Sequence, residues 1–325
     1  MYDSILRYLS LVVIVAIPLI VTALGGMFTE RGGVTNIALD GLMIIGGFVG
    51  LLVANALKTG DLVTNLVVYM VALCIAGLVG ILFSMIHAFA SIKMKADQTI
   101  SATAINTLTP ALALFLTQSL VLGESQGSDK LPVFAPEFRI RHIPFLSDIP
   151  IIGDLFFKNV QPGLYVGIIA IIIASLVIFK TRFGLRLTAT GENPHAADAA
   201  GISIYKMRYL GVGISGFLAG IGGFILVMTF NEFSGDVSGY GFLAIAVLIF
   251  GNWNPIKIMG AALLFSSLLT LGNGVAFFPF LENLGVPSAF WSMVPYIATI
   301  IVLIFTSKRS RAPKALGIAY DKGQR

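Results

Sequence analysis

Long apolar segments recur along this 325-residue chain, separated by short polar connections. Most are close to 20 residues long, which is the length that a helix needs to cross the roughly 30 Å hydrocarbon layer of a bilayer. Only 11% of the residues are charged, far below the share of about 25% in soluble domains. The chain is therefore predicted to be an all-α polytopic membrane protein.

We predict nine transmembrane helices in a single transmembrane domain that comprises residues 1–325. The predicted spans are 9–28, 34–57, 62–90, 99–122, 163–180, 207–230, 238–253, 257–275 and 289–306. The segment 238–253 is the weakest of them, because only about sixteen of its residues are apolar enough, and it could be re-entrant.

The distribution of lysine and arginine predicts the orientation. With a cytoplasmic C-terminus, 15 of the 21 basic residues lie in cytoplasmic segments and six on the opposite side. The positive-inside rule therefore favours an N-terminus outside and a C-terminus in the cytoplasm. Residues 123–161 then form an extracytoplasmic loop, expected to be an ordered cap with one or two short helices, and residues 181–206 lie in the cytoplasm.

Catalytic and cofactor motifs are missing from the sequence. It has no G-x-x-x-x-G-K-[ST] loop for nucleotide phosphates, no H-E-x-x-H and no G-x-S-x-G. Its single cysteine, Cys74, lies in an apolar segment, and His87, His142 and His195 fall in three different regions, so neither a disulfide framework nor a metal site is predicted. We expect a non-enzymatic chain: a transporter, a channel or an assembly subunit.

One polar stretch, RFGLRLTATGENPHAADAAGISIYKMR at 182–208, separates two very apolar segments. Asn193 is a good N-cap, Pro194 suits the first helical position, and Gly201 can supply a left-handed terminating turn. These residues predict a helix of about seven residues, too short to be stable alone, so we expect another protein to hold it. The alternative is an ordinary cytoplasmic loop with basic anchors at the membrane surface: Arg182, Arg186, Lys206 and Arg208.

Several segments, in order along most of the chain, resemble one family. GLRLTATGENPHAADAAGISIYKMRYLGVGISGFLAGIGG is similar to the coupling-helix region of permease subunits of ATP-binding-cassette (ABC) importers for branched-chain amino acids, simple sugars and nucleosides. ERGGVTNIALDGLMIIGGF resembles the second span of that family, ISATAINTLTPAL its fourth, and FGNWNPIKIMGAALLF and GVPSAFWSMVPYIATIIVLI its C-terminal third. The pattern is closest to the nucleoside-type permeases, although Asp40 stands where these have glutamate.

The resemblance implies a permease in the cytoplasmic membrane of a prokaryote that imports nucleosides, or a related small polar solute, by alternating access. ATP and Mg would be bound by a separate ATPase, and this chain would hold no cofactor. Further expected partners are a second permease chain, in a heterodimer or a homodimer, an extracytoplasmic substrate-binding lipoprotein and membrane lipid, without nucleic acid. The residues implied to contact the ATPase are Glu192, Asn193, Pro194, His195, Ala196, Ala199 and Gly201.

Polar residues inside spans are candidates for the substrate path, because a polar group in hydrocarbon is costly unless it faces a cavity or a partner. The candidates are Asn36, Asp40, Thr103, Asn106 and Asn231. Of these, Asn36 and Asp40 either line the path or hold a helix that is broken near its start. Each also has a structural interpretation: helix capping by Asn36, pairing of Asp40 with Arg31, interhelical hydrogen bonds from the polar stripe around Asn106, and a solvated turn at Asn231.

Other functions stay open at this point. An ion-gradient-driven secondary transporter would use Asp40 as a proton or sodium carrier, and a membrane scaffold would transport nothing. Within the resembling family, simple sugars and branched-chain amino acids are alternative substrates. We find no clear cationic residue inside a span, which favours an uncharged solute.

Overall fold

The computed structural model describes residues 2–122, 130–273 and 311–323, with isolated positions between 286 and 300. These residues are mainly helical. The helices are α1 (Tyr2–Arg31), α2 (Leu39–Leu57), α3 (Leu62–Ala88), α4 (Gln98–Leu116), α5 (Ile152–Phe156), α6 (Gly163–Lys180), α7 (Arg182–Glu192), α8 (Pro194–Ala199), α9 (Ile204–Val227), α10 (Tyr240–Phe250) and α11 (Pro255–Asn273). Short π-helical turns extend α3 over Phe89–Lys93 and α4 over Thr117–Leu122. Four short strands, β1 (Leu131–Pro132), β2 (Ile140–His142), β3 (Lys158–Val160) and β4 (Glu232–Phe233), pair antiparallel as β1–β4 and β2–β3.

Seven of the described helices are long and apolar enough to cross a membrane. They are Ser4–Arg31, Leu39–Leu57, Leu62–Lys93, Gln98–Ser119, Gly163–Lys180, Ile204–Val227 and Pro255–Gly272. Each corresponds to one predicted span. The predicted span 289–306 lies largely outside the described residues.

Two predicted spans differ from the structure. The span 34–57 is helical only from Leu39, because Gly33 has a φ of +86° and residues 32–38 form a non-helical break. The span 238–253 contains only the 11 residues of α10, a length of about 16 Å at 1.5 Å per residue, which is too short to cross a bilayer alone. Residues 228–239, which precede α10, are non-helical.

Helix α9 is the centre of the bundle and packs against α1, α2 and α3. Its glycines allow this close approach. A Cβ atom at Gly220 would overlap the carbonyl oxygen of Ala76 in α3, one at Gly46 in α2 would overlap the backbone of Gly220, and one at Gly223 would overlap the backbone of Met43. Because lipid removes the hydrophobic drive between helices, such backbone-to-backbone packing is a main source of helix association in membranes.

The connections gather at two opposite ends of the bundle, here called the tail face and the loop face. The tail face comprises α7, α8, residues 94–97 and 251–254, and the C-terminal tail, which we define as residues 311–323. Arg31, the last residue of α1, joins two of its parts by three hydrogen bonds: Nε and Nη2 donate to the carbonyl oxygen of Trp253 at 3.0 and 2.7 Å, and Nη1 donates to Thr188 Oγ1 at 3.3 Å. Glu30 adds a fourth contact by accepting a 2.6 Å hydrogen bond from Trp253 Nε1.

The loop face comprises residues 58–61, 130–162 and 229–233. Asn55 donates to the carbonyl oxygen of Pro132 at 2.9 Å, and Lys58 lies 4.0 Å from the Glu137 carboxylate. The expected cap is ordered in its described part, residues 130–161, but α5 is its only α-helix there and has five residues. The remainder consists of a 3₁₀-helix (Ala135–Phe138), turns and the short strands β1, β2 and β3, so this part holds two short helices.

Candidate substrate path and partner helix

The N-terminal ends of α2 and α10 meet inside the protein. Asp40, the second residue of α2, is 7% exposed, and its Oδ1 accepts a 2.8 Å hydrogen bond from the backbone N–H of Gly241. Gly241 lies directly against the Asp40 backbone, where a Cβ atom would not fit. A carboxylate is favourable at a helix N-terminus, because the first N–H groups lack partners within the helix and carry partial positive charge. Asp40 therefore caps α10 from another helix.

Asn106 of α4 also forms hydrogen bonds at this junction. Its Oδ1 accepts from the N–H of Gly41 at 2.8 Å, and its Nδ2 donates to the carbonyl oxygen of Ile37 at 2.9 Å. Both partners are backbone groups beside the break before α2. The half-buried amide therefore supplies hydrogen bonds that a continuous helix would have supplied itself.

The contacts of Asn36 show at which depth in the bundle this junction lies. It is 1% exposed, its Nδ2 donates to Ser215 Oγ at 2.9 Å, and its Oδ1 accepts from Ala38 N at 3.1 Å. Ser215 stands near the middle of α9 (Ile204–Val227). The junction of α2, α4 and α10 therefore lies near mid-height. In membrane transporters, helices broken at this depth commonly border the substrate site.

One face of α4 is uncovered and combines threonines with apolar residues. Thr99, Thr103 and Thr107 are exposed and line an open hollow of about 670 Å³ together with Ile100, Ala104 and Leu108. The hydroxyls of Thr103 and Thr107 donate to carbonyl oxygens one turn earlier, at 2.8 and 3.0 Å. By contrast, the uncovered face of α6 consists of large apolar residues: Ile168, Ile169, Ile172, Ile173, Leu176 and Phe179. The chemistry of α6 suits lipid, whereas that of α4 suits water or another protein.

Asp236 is a functional candidate that sequence reasoning missed. It is exposed, and it lies in the non-helical segment before α10, close enough to Asp40 for their carboxylates to interact. Its neighbour Gly235 packs against Leu114 of α4. The stretch EFSGDVSG has the composition of an outer loop, and no signal in it shows that the chain turns back into the bundle. An exposed carboxylate at this depth cannot face hydrocarbon, so it marks the same side as the threonines of α4.

The structure brings four of the five path candidates together and leaves one apart. Asn36, Asp40 and Asn106 form the junction, and Thr103 lies one turn from Asn106 on α4. Asn231 lies at the loop face, where its side chain is exposed and its carbonyl oxygen accepts from Val133 N at 3.1 Å.

Helix α8 lies on the tail face with the capping that the sequence predicts. Asn193 Oδ1 accepts from Ala196 N at 3.0 Å, Pro194 is the first helical residue, and Gly201 has a φ of +77°. The helix has six residues rather than about seven.

The two sides of α8 differ in exposure. Ala197 is buried against Ile204 and Tyr320, whereas His195, Ala196 and Ala199 are exposed. Glu192, the last residue of α7, is exposed as well. The residues implied to contact an ATPase therefore present an alanine-rich face that nothing in the described part of the chain covers.

Two features around α8 differ from the expectation of a simple basic loop. Residues 182–192 form the amphipathic helix α7, which buries Leu187 and is capped by Thr181, whose hydroxyl accepts from Gly184 N at 3.2 Å. Arg208, predicted as an anchor at the membrane surface, is only 2% exposed. Its Nη1 donates to the carbonyl oxygen of Ile318 at 3.0 Å. The C-terminal tail covers Arg208, and the pattern of charges in the sequence does not show this contact.

Comparisons with known proteins show the family of this chain. Residues 8–303 match the family described as branched-chain amino acid transport system / permease component. The guanosine ABC transporter permease protein NupQ of Bacillus subtilis (strain 168) is 43% identical over 99% of this chain and 100% of its own length. The nucleoside ABC transporter permease protein NupC of Lactococcus lactis subsp. cremoris is 39% identical over 94% of each chain. A second protein of the same B. subtilis strain, the guanosine ABC transporter permease protein NupP, is 26% identical over 89% of this chain and 78% of its own. No solved structure matches.

The family match spans most of the chain, and the first two of these relatives align over nearly their whole length. Permeases of this kind are transport subunits of the cell membrane that work with an ATPase and a substrate-binding protein. With its seven helices long enough to span a membrane, the chain belongs to the branched-chain amino acid transport system / permease component family and is a multi-pass permease subunit of an ABC transporter.

Proposed function

We propose that this chain moves nucleosides inward as one permease subunit of an ATP-driven importer. The observation that carries the proposal is its 43% identity, over 99% of the chain, to a protein described as a guanosine permease. The 39% identity to a nucleoside permease of a second organism supports the same substrate class.

The proposed topology keeps the nine spans, with the N-terminus outside and the tail face in the cytoplasm. The seventh crossing is made by the non-helical segment 234–239 and α10 together. Residues 1–325 form one permease domain, with an extracytoplasmic loop at 123–161 and a cytoplasmic coupling loop at 181–206. Support comes from the grouping of basic residues, since Lys95, Arg182, Arg186, Lys314 and Lys322 all belong to segments of the tail face, as the positive-inside rule requires.

In this proposal, α8 is the coupling helix. The exposed Ala196 and Ala199 fit a groove on the ATPase, and Glu192, Asn193, Pro194, His195 and Gly201 shape and border that contact. ATP and Mg are bound by the ATPase, whose closure displaces α8. The displacement favours one of two states of the permease, because contacts that differ between the states are what shift such an equilibrium.

The substrate path runs along the uncovered side of α4. Thr103, Thr107 and Asp236 supply hydroxyl and carboxylate groups there, while Asn36, Asp40 and Asn106 hold the broken helix ends behind them. A nucleoside is uncharged and carries several hydroxyl and N–H groups. Exposed oxygen acceptors next to an apolar surface suit both its ribose and its base.

The second permease is proposed to be a different chain, so that the two form a heterodimer. B. subtilis has two proteins described as guanosine ABC transporter permeases, and this chain is 43% identical to one and 26% identical to the other. The partner is expected to be of the second kind and to face the uncovered side of α4. An extracytoplasmic substrate-binding lipoprotein delivers the nucleoside to the loop face.

Uptake by whole cells tests the proposal. Deletion of this gene should abolish uptake of radiolabelled guanosine at low concentration, and the wild-type gene should restore it, while uptake of leucine and glucose stays unchanged. In membrane vesicles, uptake should follow ATP and persist when an uncoupler collapses the ion gradient. Loss of leucine or glucose uptake instead, or collapse with the uncoupler at constant ATP, would contradict it.

A further inference from the structure

The C-terminal tail, residues 311–323, returns to the bundle and contacts three other segments of the tail face and the break before α2. Its backbone N–H groups donate to Asn252 Oδ1 from Arg311 (2.8 Å), to the carbonyl oxygen of Gly191 from Ala315 (2.8 Å) and to that of Gly33 from Gly317 (3.2 Å). Asp321 accepts a 2.8 Å hydrogen bond from Lys95. These contacts reach the turn before α11, the end of α7, the break before α2 and the connection between α3 and α4.

Tyr320 attaches the tail to α8. It is 5% exposed and packs with the buried Ala197 and Ile204. Its ring centroid lies 5.3 Å from that of His195 and 5.8 Å from that of Tyr205. A helix of six residues has too few internal hydrogen bonds to be stable alone. Part of the support for α8 therefore comes from a residue more than a hundred positions away in sequence.

Arg208 attaches the tail to the start of α9 and to the break before α2. Its Nη1 donates to the carbonyl oxygen of Ile318, while Nε and Nη2 have no hydrogen-bond partner within the described residues. A Cβ atom at Gly33 would lie 3.1 Å from Nη2, so the guanidinium is pressed against the break. A buried charge depends strongly on the few hydrogen bonds it has, and the tail supplies one.

We propose that the C-terminal tail is the link through which α8 moves the broken end of α2 and the start of α4, with Tyr320 as the residue that holds α8 to it. From Tyr320, one route leads through Gly317 to Gly33, which precedes Asn36 and Asp40 by a few residues. The other leads through Asp321 to Lys95, two residues before Asp97, whose carboxylate caps α4 by accepting from Thr99 N and Ile100 N. The first route ends at the break before α2 and the second at the start of α4, and both of these elements take part in the junction of α2, α4 and α10.

This inference rests on the proposed function, because it presumes that α8 is displaced by an ATPase. Its test uses the whole transporter, purified with its ATPase and both permeases, reconstituted in liposomes and supplied with the binding protein. The quantity measured is the amount of guanosine transported per ATP hydrolysed. Tyr320→Ala should lower this ratio by about fivefold, the lower end of coupling factors in proteins, while the ATPase still co-purifies. Tyr320→Phe, which keeps the ring, should retain the wild-type ratio.

The matched control is Ile318→Ala, because the Ile318 side chain is 58% exposed and only its carbonyl oxygen binds Arg208. It should transport as the wild type does. An unchanged ratio in Tyr320→Ala would overturn the proposal, and so would loss of the ATPase from the purified complex, because the tail would then be a docking element rather than a link.

A second pair of variants covers the case in which Tyr320→Ala fails to fold. Asp321→Lys reverses one charge of an exposed ion pair and should lower the ratio, and adding Lys95→Asp should restore it. Failure of the double reversal to restore a lowered ratio would contradict the link. A wild-type complex that moves no guanosine would instead refute the proposed function, so the two failures are distinguishable.

Discussion

The Asp40 carboxylate accepts a hydrogen bond from the backbone N–H of Gly241 in α10, a helix that begins 200 residues later in the chain. It therefore acts as an N-cap for that helix. Replacing it tests this role at the level of one side chain. Asp40→Asn keeps an oxygen acceptor for Gly241 N, whereas Asp40→Ala leaves that buried N–H without a partner, which costs about 1–3 kcal/mol. We expect Asp40→Ala to lower the thermal stability of the purified complex clearly more than Asp40→Asn does. Equal losses in both variants would show that the hydrogen bond is not what matters.

Replacing Asp236 or Asn106 should reduce uptake in both cases but should differ in its effect on stability. Asp236 is exposed and its removal leaves no buried group unpaired, so Asp236→Ala should change stability by no more than about 0.5 kcal/mol and still reduce guanosine uptake strongly. Asn106→Leu removes two hydrogen bonds to backbone and should reduce uptake and thermal stability together, while the protein still reaches the membrane. The control is Asp148→Ala, an exposed acidic residue of the loop face. Full uptake by Asp236→Ala would exclude Asp236 from the path.

At the scale of the helix, glycine packing around α9 makes a direct prediction. Gly220→Ala places a Cβ atom against the carbonyl oxygen of Ala76 and should destabilise the protein by about 1–3 kcal/mol, as overpacking does. At Gly260 in α11, by contrast, a Cβ atom would meet no atom of another described residue within 4 Å outside the local helix backbone. Gly260→Ala should therefore be neutral or slightly stabilising, because alanine favours a helix by up to about 1 kcal/mol over glycine. Thermal unfolding followed on a fluorescent fusion protein distinguishes the two, and equal melting temperatures would refute the packing assignment.

The attachment of the tail has a predictable pH dependence. Its hydrogen bond with Lys95 holds the pKa of Asp321 below the ordinary value, and the same bond, with a smaller contribution from Tyr205, raises the pKa of Lys95. The contribution of Asp321 is thus present above its ordinary pKa of about 4 and lost as pH falls through the lowered value, while that of Lys95 is lost only above about 10.5. A spin label at Ile318→Cys, in a Cys74→Ala background, should show constant mobility from about pH 5 to 9 and greater mobility in high salt. A change of mobility near neutral pH would contradict this pairing.

Local sequence signals predicted some elements well and missed others for a physical reason. The apolar run 163–180 coincides with α6, and Asn193, Pro194 and Gly201 specify the ends of α8, because spans and caps depend on neighbouring residues. The positions of the breaks before α2 and α10 were not predicted, although a helix broken near its start was one interpretation of Asn36 and Asp40. Their free backbone groups are satisfied by Asn106 and Asp40 from other helices, and no local pattern reports such a partner. Asp236 was missed for the same reason.

At the scale of the whole molecule, the uncovered side of α4 that carries the threonines is where we expect a neighbouring chain. We expect the purified transporter to contain two different permease chains in equal amounts, and a cysteine at Thr103 to cross-link this chain to the other one rather than to lipid. Ile172→Cys on α6, whose surroundings are apolar, is the matched control and should not cross-link. Cross-links between two copies of this chain would show a homodimer instead.

The central claim is that a separate ATPase binds α8 in the cytoplasm. The direct measurement is photo-cross-linking from Ala196→Cys in the Cys74→Ala background, in native membranes, with mass spectrometry of the captured chain. Ile149→Cys on the loop face serves as the control for sidedness. We predict that Ala196→Cys captures an ABC ATPase and is protected from a membrane-impermeant thiol reagent added to intact cells, whereas Ile149→Cys is labelled. Capture of no ATPase, or labelling of Ala196→Cys from outside, would contradict the claim.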